Sequence, residues 1–144
     1  MIIKDYEFPE ELKYDKDHGW VKADGDFLIM GVTDMFQKMA GEVVFVEIPA
    51  VGRKITQGDA FASIESGKWV GRLKAPVNGE IVEANAELED FPYLLNESPY
   101  EEGWIIKIKP DNMADYDALM DTGNETELTA FVEEEEKRIN DGKA

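Results

Sequence analysis

Turn-forming residues recur at short intervals through the middle of this chain, at Asp24-Gly25-Asp26, Gly52, Gly58-Asp59, Ser66-Gly67, Pro76 and Asn78-Gly79. The apolar runs between them, residues 19–22, 27–32, 43–48, 60–64, 70–73 and 80–82, are too short for ordinary helices. Short strands separated by closely spaced turns predict a small β-barrel or sandwich. Residues 43–48 are rich in β-branched side chains and are bounded by Pro49 and Gly52, which predicts a buried strand. Thr33 is placed to cap a short helix through Met39, with Phe36 and Met39-Ala40 on one face and Gly41 at its end. Residues 87–96 read as a turn or short helix interrupted by Pro92, and residues 104–108 as the last strand, stopped before Pro110.

The pattern then changes. Residues 113–120 and 127–139 predict two helices. The second carries Leu128, Phe131, Val132 and Ile139 at helical spacing, and its acidic run, residues 133–136, reads as a solvated face. A length of 144 residues suits one domain with a real core.

Charge and rare residues narrow the chemistry. Fifteen Lys and Arg against 32 Asp and Glu give a formal charge of −17. Such a surface repels phosphate backbones and anionic lipid, so neither nucleic acid nor membrane is expected as a partner, and proteins with basic docking faces are. There is no Cys and one His, which leaves no disulfide, thiolate nucleophile, zinc ribbon or histidine metal cluster, and no metal is expected. The N-terminal residues lack the apolar core of a signal peptide and no stretch approaches a membrane span, so the expected location is cytoplasmic. Nothing resembles a catalytic triad, and Ser66-Gly67-Lys68 lacks the upstream glycine of a phosphate loop. The chain reads as a carrier or binding protein, not an enzyme.

Lys68 falls between two predicted strands, beside Gly67, whose freedom at positive φ suits a tight turn. A faint duplication puts it between two quasi-equivalent halves, one from Val51-Gly52 to Gly58-Asp59 and one starting at Pro76 to Gly79. A lysine at a hairpin tip is exposed and rigidly presented, as a modifying enzyme requires; on the turn alone, a solvated surface lysine is the expected reading.

The surrounding residues decide between these. Glu65-Ser66 before Lys68, Pro76-Val77-Asn78-Gly79-Glu80 after it, and Gly52 upstream resemble the lipoyl-attachment region of the glycine cleavage H-protein family. The resemblance extends to Tyr14 with His18-Gly19-Trp20-Val21, Gly31-Val32-Thr33-Asp34, the segment from Gly41 to Pro49, Asn96-Glu97-Ser98-Pro99-Tyr100, and Gly103-Trp104-Ile105-Ile106-Lys107-Ile108. It implies a mainly β, lipoyl-domain-like hybrid barrel-sandwich with short helices. Residues 1–110 would form the H-protein-type lipoyl domain, and residues 111–144 a C-terminal helical extension packed on it. It implies lipoate attached covalently to Lys68, with Glu65 and Gly79 recognised by a lipoate ligase or lipoyl transferase. The lipoyl lysine would act as a swinging arm that raises effective concentration between partner enzymes, its redox sulfurs supplied by the cofactor.

Four residues beside Lys68 depart from the family: Gly67, Trp69, Gly71 and Arg72 stand where it has Val, Ala, Ser and Asp, and further off Gly19 stands in place of Glu. Replacing an acid by Arg reverses the local field, by roughly 4 kcal/mol for a pair about 4 Å apart at an effective dielectric of 20. Arg72 is equally readable as solvent-facing or paired with a nearby carboxylate. The changes resemble a branch of lipoate-binding proteins linked to heterodisulfide-reductase-like sulfur oxidation. That likeness implies a sulfur intermediate as cargo and a heterodisulfide-reductase-like complex as partner. The alternative is the aminomethyl group of glycine decarboxylation, with glycine decarboxylase, aminomethyltransferase and dihydrolipoyl dehydrogenase as partners. The expected arm environment is His18, Trp69, Gly71 and Arg72, with His18 equally readable as a hydrogen-bonded packing residue. A biotin carrier fits less well, because its lysine is flanked by Met on both sides. A homologue without lipoate also remains open.

Overall fold

The computed structural model describes residues 1–142, with side chains described through Arg138. Ile139, expected on the apolar face of the last helix, lies outside the described side chains. Strands β1 (Ile2–Ile3) and β2 (Tyr6–Glu7) form a small hairpin. A six-stranded antiparallel sheet runs in the order β3 (Lys13–Tyr14), β4 (Gly19–Asp24), β5 (Phe27–Val32), β11 (Ile106–Pro110), β10 (Gly79–Ala84), β7 (Lys54–Ile55). A three-stranded sheet runs β6 (Val43–Glu47), β8 (Ala60–Ser66), β9 (Val70–Lys74). One apolar cluster joins the sheets: Val21, Leu28, Ile81 and Ile108 from the first, Val46, Phe61, Ile64 and Leu73 from the second. The result is the expected mainly β barrel-sandwich.

Local chemistry sets most boundaries. Helix α1 (Asp34–Ala40) starts where Thr33 Oγ1 accepts from Phe36 N at 3.1 Å, and stops where Gly41 adopts φ +78°. Pro92 splits residues 87–96 into the single turns α2 (Glu87–Asp90) and α3 (Leu94–Glu97).

Three expectations are corrected. The last strand begins at Ile106 and runs through Pro110, which pairs with Gly79 at the end of the ladder, where a missing N–H is tolerated. The helix expected over residues 113–120 is only α4 (Ala114–Asp117), because Met120 returns to strand geometry and exchanges backbone hydrogen bonds with Tyr14 at 2.7 and 2.9 Å. The strand over residues 43–48 is buried only at Val43 and Val46, while Val44 and Phe45 are 59% and 47% exposed. A register shift between Val43 and Phe45 turns both outward, and an unbroken apolar run carries no alternation that would reveal this.

Helix α5 (Glu125–Gly142) packs Leu128 and Val132 into a second cluster with Phe8, Tyr14, Trp20 and Met35. The C-terminal segment thereby covers the N-terminal strands and the underside of α1. No described helix is long and apolar enough to cross a membrane. Leu128 is fully buried, so Leu128→Ala should cost about 2–5 kcal/mol in urea unfolding; a loss below about 1 kcal/mol would mean that α5 is not part of the cooperative core.

Candidate functional site

The geometry around Lys68 starts from the β8–β9 ladder, in which Glu65 faces Val70, Ile64 faces Gly71 and Ser63 faces Arg72. Residues 67–69 close the hairpin. Ser66 N donates to Trp69 O at 2.8 Å, and Ser66 Oγ lies 3.4 Å from both Trp69 O and Lys68 N. Gly67 is not at positive φ, contrary to expectation; among the described glycines that conformation is taken by Gly25, Gly41, Gly52 and Gly58. The turn is held by Ser66 and does not draw on a glycine's freedom.

Lys68 is exposed and makes no ion pair among the described residues. Its stem lies against Gly41, where an added Cβ would stand 3.0 Å from Lys68 Cε. Glycine is favoured at position 41 by its φ of +78°, and its lack of a side chain leaves room for the lysine stem. Asn96 fixes this segment from below: its Nδ2 donates to Gly41 O and its Oδ1 accepts from Val43 N, both at 2.8 Å.

Trp69 and Gly71 share the face of β9 opposite Val70 and Arg72. The Trp69 indole lies over Gly71 so closely that a Cβ there would overlap its Cζ2 and Cη2. The ring also meets Phe36 edge-on, with centroids 5.1 Å apart at 85°. Beside them is a cavity of about 190 Å³ lined by His18, Phe36, Met39, Ala40, Trp69 and Arg138. A larger groove of about 600 Å³, lined by Trp20, Tyr100 and Trp104 among others, shares no lining residue with it.

The polar wall of the small cavity comes from two distant parts of the chain. Buried His18 donates from Nε2 to Glu135 Oε1 at 2.7 Å, and Arg138 donates to the same oxygen at 2.5 Å. His18 Nδ1 is buried without a partner. Burial holds His18 below the ordinary imidazole range, against the upward pull of Glu135. His18 thus packs and lines the cavity at once. Glu135 corrects the reading of residues 133–136 as a solvated face: Glu133 and Glu134 are exposed, while Glu135 is 6% exposed.

The other expected residues are dispersed. Arg72 is exposed on the outer face of the three-stranded sheet, in a row with Ser63 and Glu47, and does not line the cavity. Glu65 is half-buried on that same outer face. Gly79 is buried between β11 and β7, where a side chain would overlap Lys109 O and approach Ile108 Cγ2 to 2.9 Å. Gly19 sits against Asp15, whose Oδ1 accepts from Gly19 N at 2.8 Å and Asp17 N at 2.9 Å. Burial pushes the Asp15 carboxyl up to about 7, so it does not supply the full negative charge that an acid at position 19 would.

Sequence reading missed Gly41, Asn96, Glu135 and Arg138 as site residues. Glu135 could have been found, since it continues the Leu128, Val132 spacing at i+7 and i+3. Asn96 and Arg138 carry no comparable local signal.

Two outcomes follow from this geometry. Gly71→Ala should drive the Trp69 indole off β9, raising acrylamide quenching of tryptophan fluorescence; unchanged quenching would show that the ring is not seated on Gly71. Asp15 is an acid whose folded pKa is raised, so its contribution to stability is fully present below about 4 and is lost as pH rises through about 7. Asp15→Asn and the parent protein should unfold alike at pH 4, and the variant should gain relative stability by pH 8. A constant difference across that range would contradict the shift.

The family model described as Glycine cleavage H-protein matches residues 12–135. A glycine cleavage system H protein of Anaeromyxobacter sp. (strain K) is 44% identical over 130 residues, covering 90% of this chain and 99% of that protein. The mitochondrial one of Oryza sativa subsp. indica is 46% identical over 125 residues, covering 87% and 74%. The crystal structure of a glycine cleavage system H protein from Mycobacterium marinum superposes with a TM-score of 0.75 at 29% identity, covering 85% of this chain and 99% of that one. With its barrel-sandwich, its exposed turn lysine and matches over most of its length, this chain belongs to the glycine cleavage H-protein family.

Proposed function

We propose that the chain is a lipoyl carrier of the glycine cleavage type, with lipoate joined as an amide to Lys68 and the aminomethyl group as its cargo. The observation that carries the reading is an exposed, unpaired lysine on a three-residue turn beside a small, largely apolar cavity. Lipoate suits this setting: Lys68 offers the amine, Phe36, Met39 and Trp69 offer apolar shelter, and His18 and Arg138 supply polar groups at its edge. When attached, lipoate supplies a dithiolane whose sulfurs take up and release the transferred group. The chain's own part is to present the amine, fix the turn and screen the cavity from water. Tethering raises the effective concentration of the cargo at each partner in turn.

Glu65, on the outer face three residues before Lys68, is the proposed recognition acid for a lipoate ligase or lipoyl transferase. Gly79 acts through the sheet, by letting β10 and β11 close. The proposed partners after acylation are glycine decarboxylase, aminomethyltransferase and dihydrolipoyl dehydrogenase.

The sulfur cargo expected from Trp69, Gly71 and Arg72 gains no support from the relatives, which are named for glycine cleavage. Its main physical motive also weakens. Arg72 points away from the cavity face, and Gly71 has a packing role under Trp69. The cation that does line the cavity, Arg138, is paired with the buried Glu135 carboxylate.

Intact-mass measurement after expression in a lipoylation-competent host tests the attachment. The parent chain should gain one lipoyl group, and Lys68→Arg should gain none while keeping the parent Tm. An unmodified parent, or a modified Lys68→Arg chain, would overturn the assignment. The lipoylated protein should also accept the aminomethyl group from glycine decarboxylase; refusal by fully lipoylated protein would overturn the cargo alone.

A further inference from the structure

The outer face of the three-stranded sheet is unusual in what it leaves uncovered. Phe45, Glu65 and Val70 are successive cross-strand partners on β6, β8 and β9, so their side chains share one row on one face. Val70 is 70% exposed and Phe45 47%, and the register shift in β6 adds Val44 at 59%. The opposite face of the same strands is fully used, with Val46 and Ile64 in the core and Gly71 under Trp69. Nothing in the fold requires apolar side chains on the outer row, where a solvated strand ordinarily carries polar ones.

We propose that this row, Phe45 and Val70 with Val44 beside it, is the docking surface for the enzyme that acylates Lys68. The inference rests on the lipoyl-carrier reading and names the surface through which that modification is made. Three considerations support this occupant.

The first is distance. Val70 lies two residues from Lys68, about 7 Å along a strand, and Phe45 two strand spacings, about 10 Å, across the sheet. A typical interface covers about 800 Å² on each partner, equivalent to a disc of radius about 16 Å. A protein that closes over Lys68 with such a footprint covers the whole row.

The second is reach. In acylation the free Nζ attacks the carbonyl carbon of an activated lipoyl group. The new C–N bond forms as the bond from that carbon to its phosphate or thiol carrier breaks. Of the two protons the ammonium loses, one goes to solvent before attack and one leaves with the carrier or to solvent. Before this step the amine extends only to the end of a four-carbon stem that is itself laid against Gly41. The enzyme must therefore come to the sheet. Enzymes that act afterwards are met at the end of a longer arm and have no need of this row.

The third is charge. Glu65 lies within the apolar row, the next row carries Glu47 and Arg72 with opposite charges, and the chain as a whole carries −17. The matching surface is apolar, with a basic side chain facing Glu65.

The test uses the full-length protein in its unmodified form, a purified lipoate ligase, lipoate and ATP, with acylation followed by intact mass. Phe45→Ser with Val70→Thr should keep the parent Tm, since both side chains are exposed, and should lower kcat/KM for acylation about tenfold, through KM. Phe45→Leu, which keeps an apolar side chain, should retain most of the parent rate. Once driven to full lipoylation with excess ligase, the double variant should serve glycine decarboxylase with the parent KM. Equal acylation of parent and double variant would overturn the docking surface and leave the carrier reading standing. Normal acylation with a raised KM for glycine decarboxylase would overturn it by assigning the row to another occupant. Failure of the parent itself to be acylated would remove the carrier reading, and the inference with it.

Discussion

The antiparallel register between β8 and β9 is the constraint on which the site depends. With Glu65 opposite Val70 and β8 ending at Ser66, only three residues remain between the two strands, and Lys68 is the middle one. The same register assigns every following side chain to a face. Trp69 and Gly71 go to the cavity side; Val70 and Arg72 go to the outer side. A slip of one residue would exchange these sets, exposing the indole and burying a guanidinium. Ile64 and Leu73, both fixed in the core, prevent that slip.

What was legible in the sequence was mostly local. The Thr33 cap, the Gly41 stop, the break at Pro92 and the position of Lys68 between two strands each depend on a few adjacent residues. The barrel-sandwich itself followed from the spacing of turns and from the family resemblance. What stayed hidden depends on tertiary partners. Val44 and Phe45 look like core until the register shift turns them outward. Glu135 looks like one of four solvated acids until His18 is brought to it from 117 positions away. Gly71 reads as the loss of a serine, and only the position of the Trp69 ring gives it a positive reason to be glycine.

Arg72 teaches the same lesson in the opposite direction. An acid-to-arginine change beside Lys68 is a large change in sequence. Its electrostatic effect on the cavity depends on which face of β9 it occupies, and alternation along the strand puts it outside. Charge reversal at a neighbouring position is thus a poor guide to cargo until the facing of the strand is known. Conversely, the polar groups that do line the cavity, His18 and Arg138, lie on other elements and are joined through one buried carboxylate.

That shared carboxylate ties the cavity to the integrity of the whole fold. The helix that brings Glu135 to His18 and Arg138 to the cavity edge also fills the second apolar cluster with Leu128 and Val132. Packing and polar wall are thus supplied by one element, and damage to α5 anywhere along its apolar face reaches the cavity through the same helix.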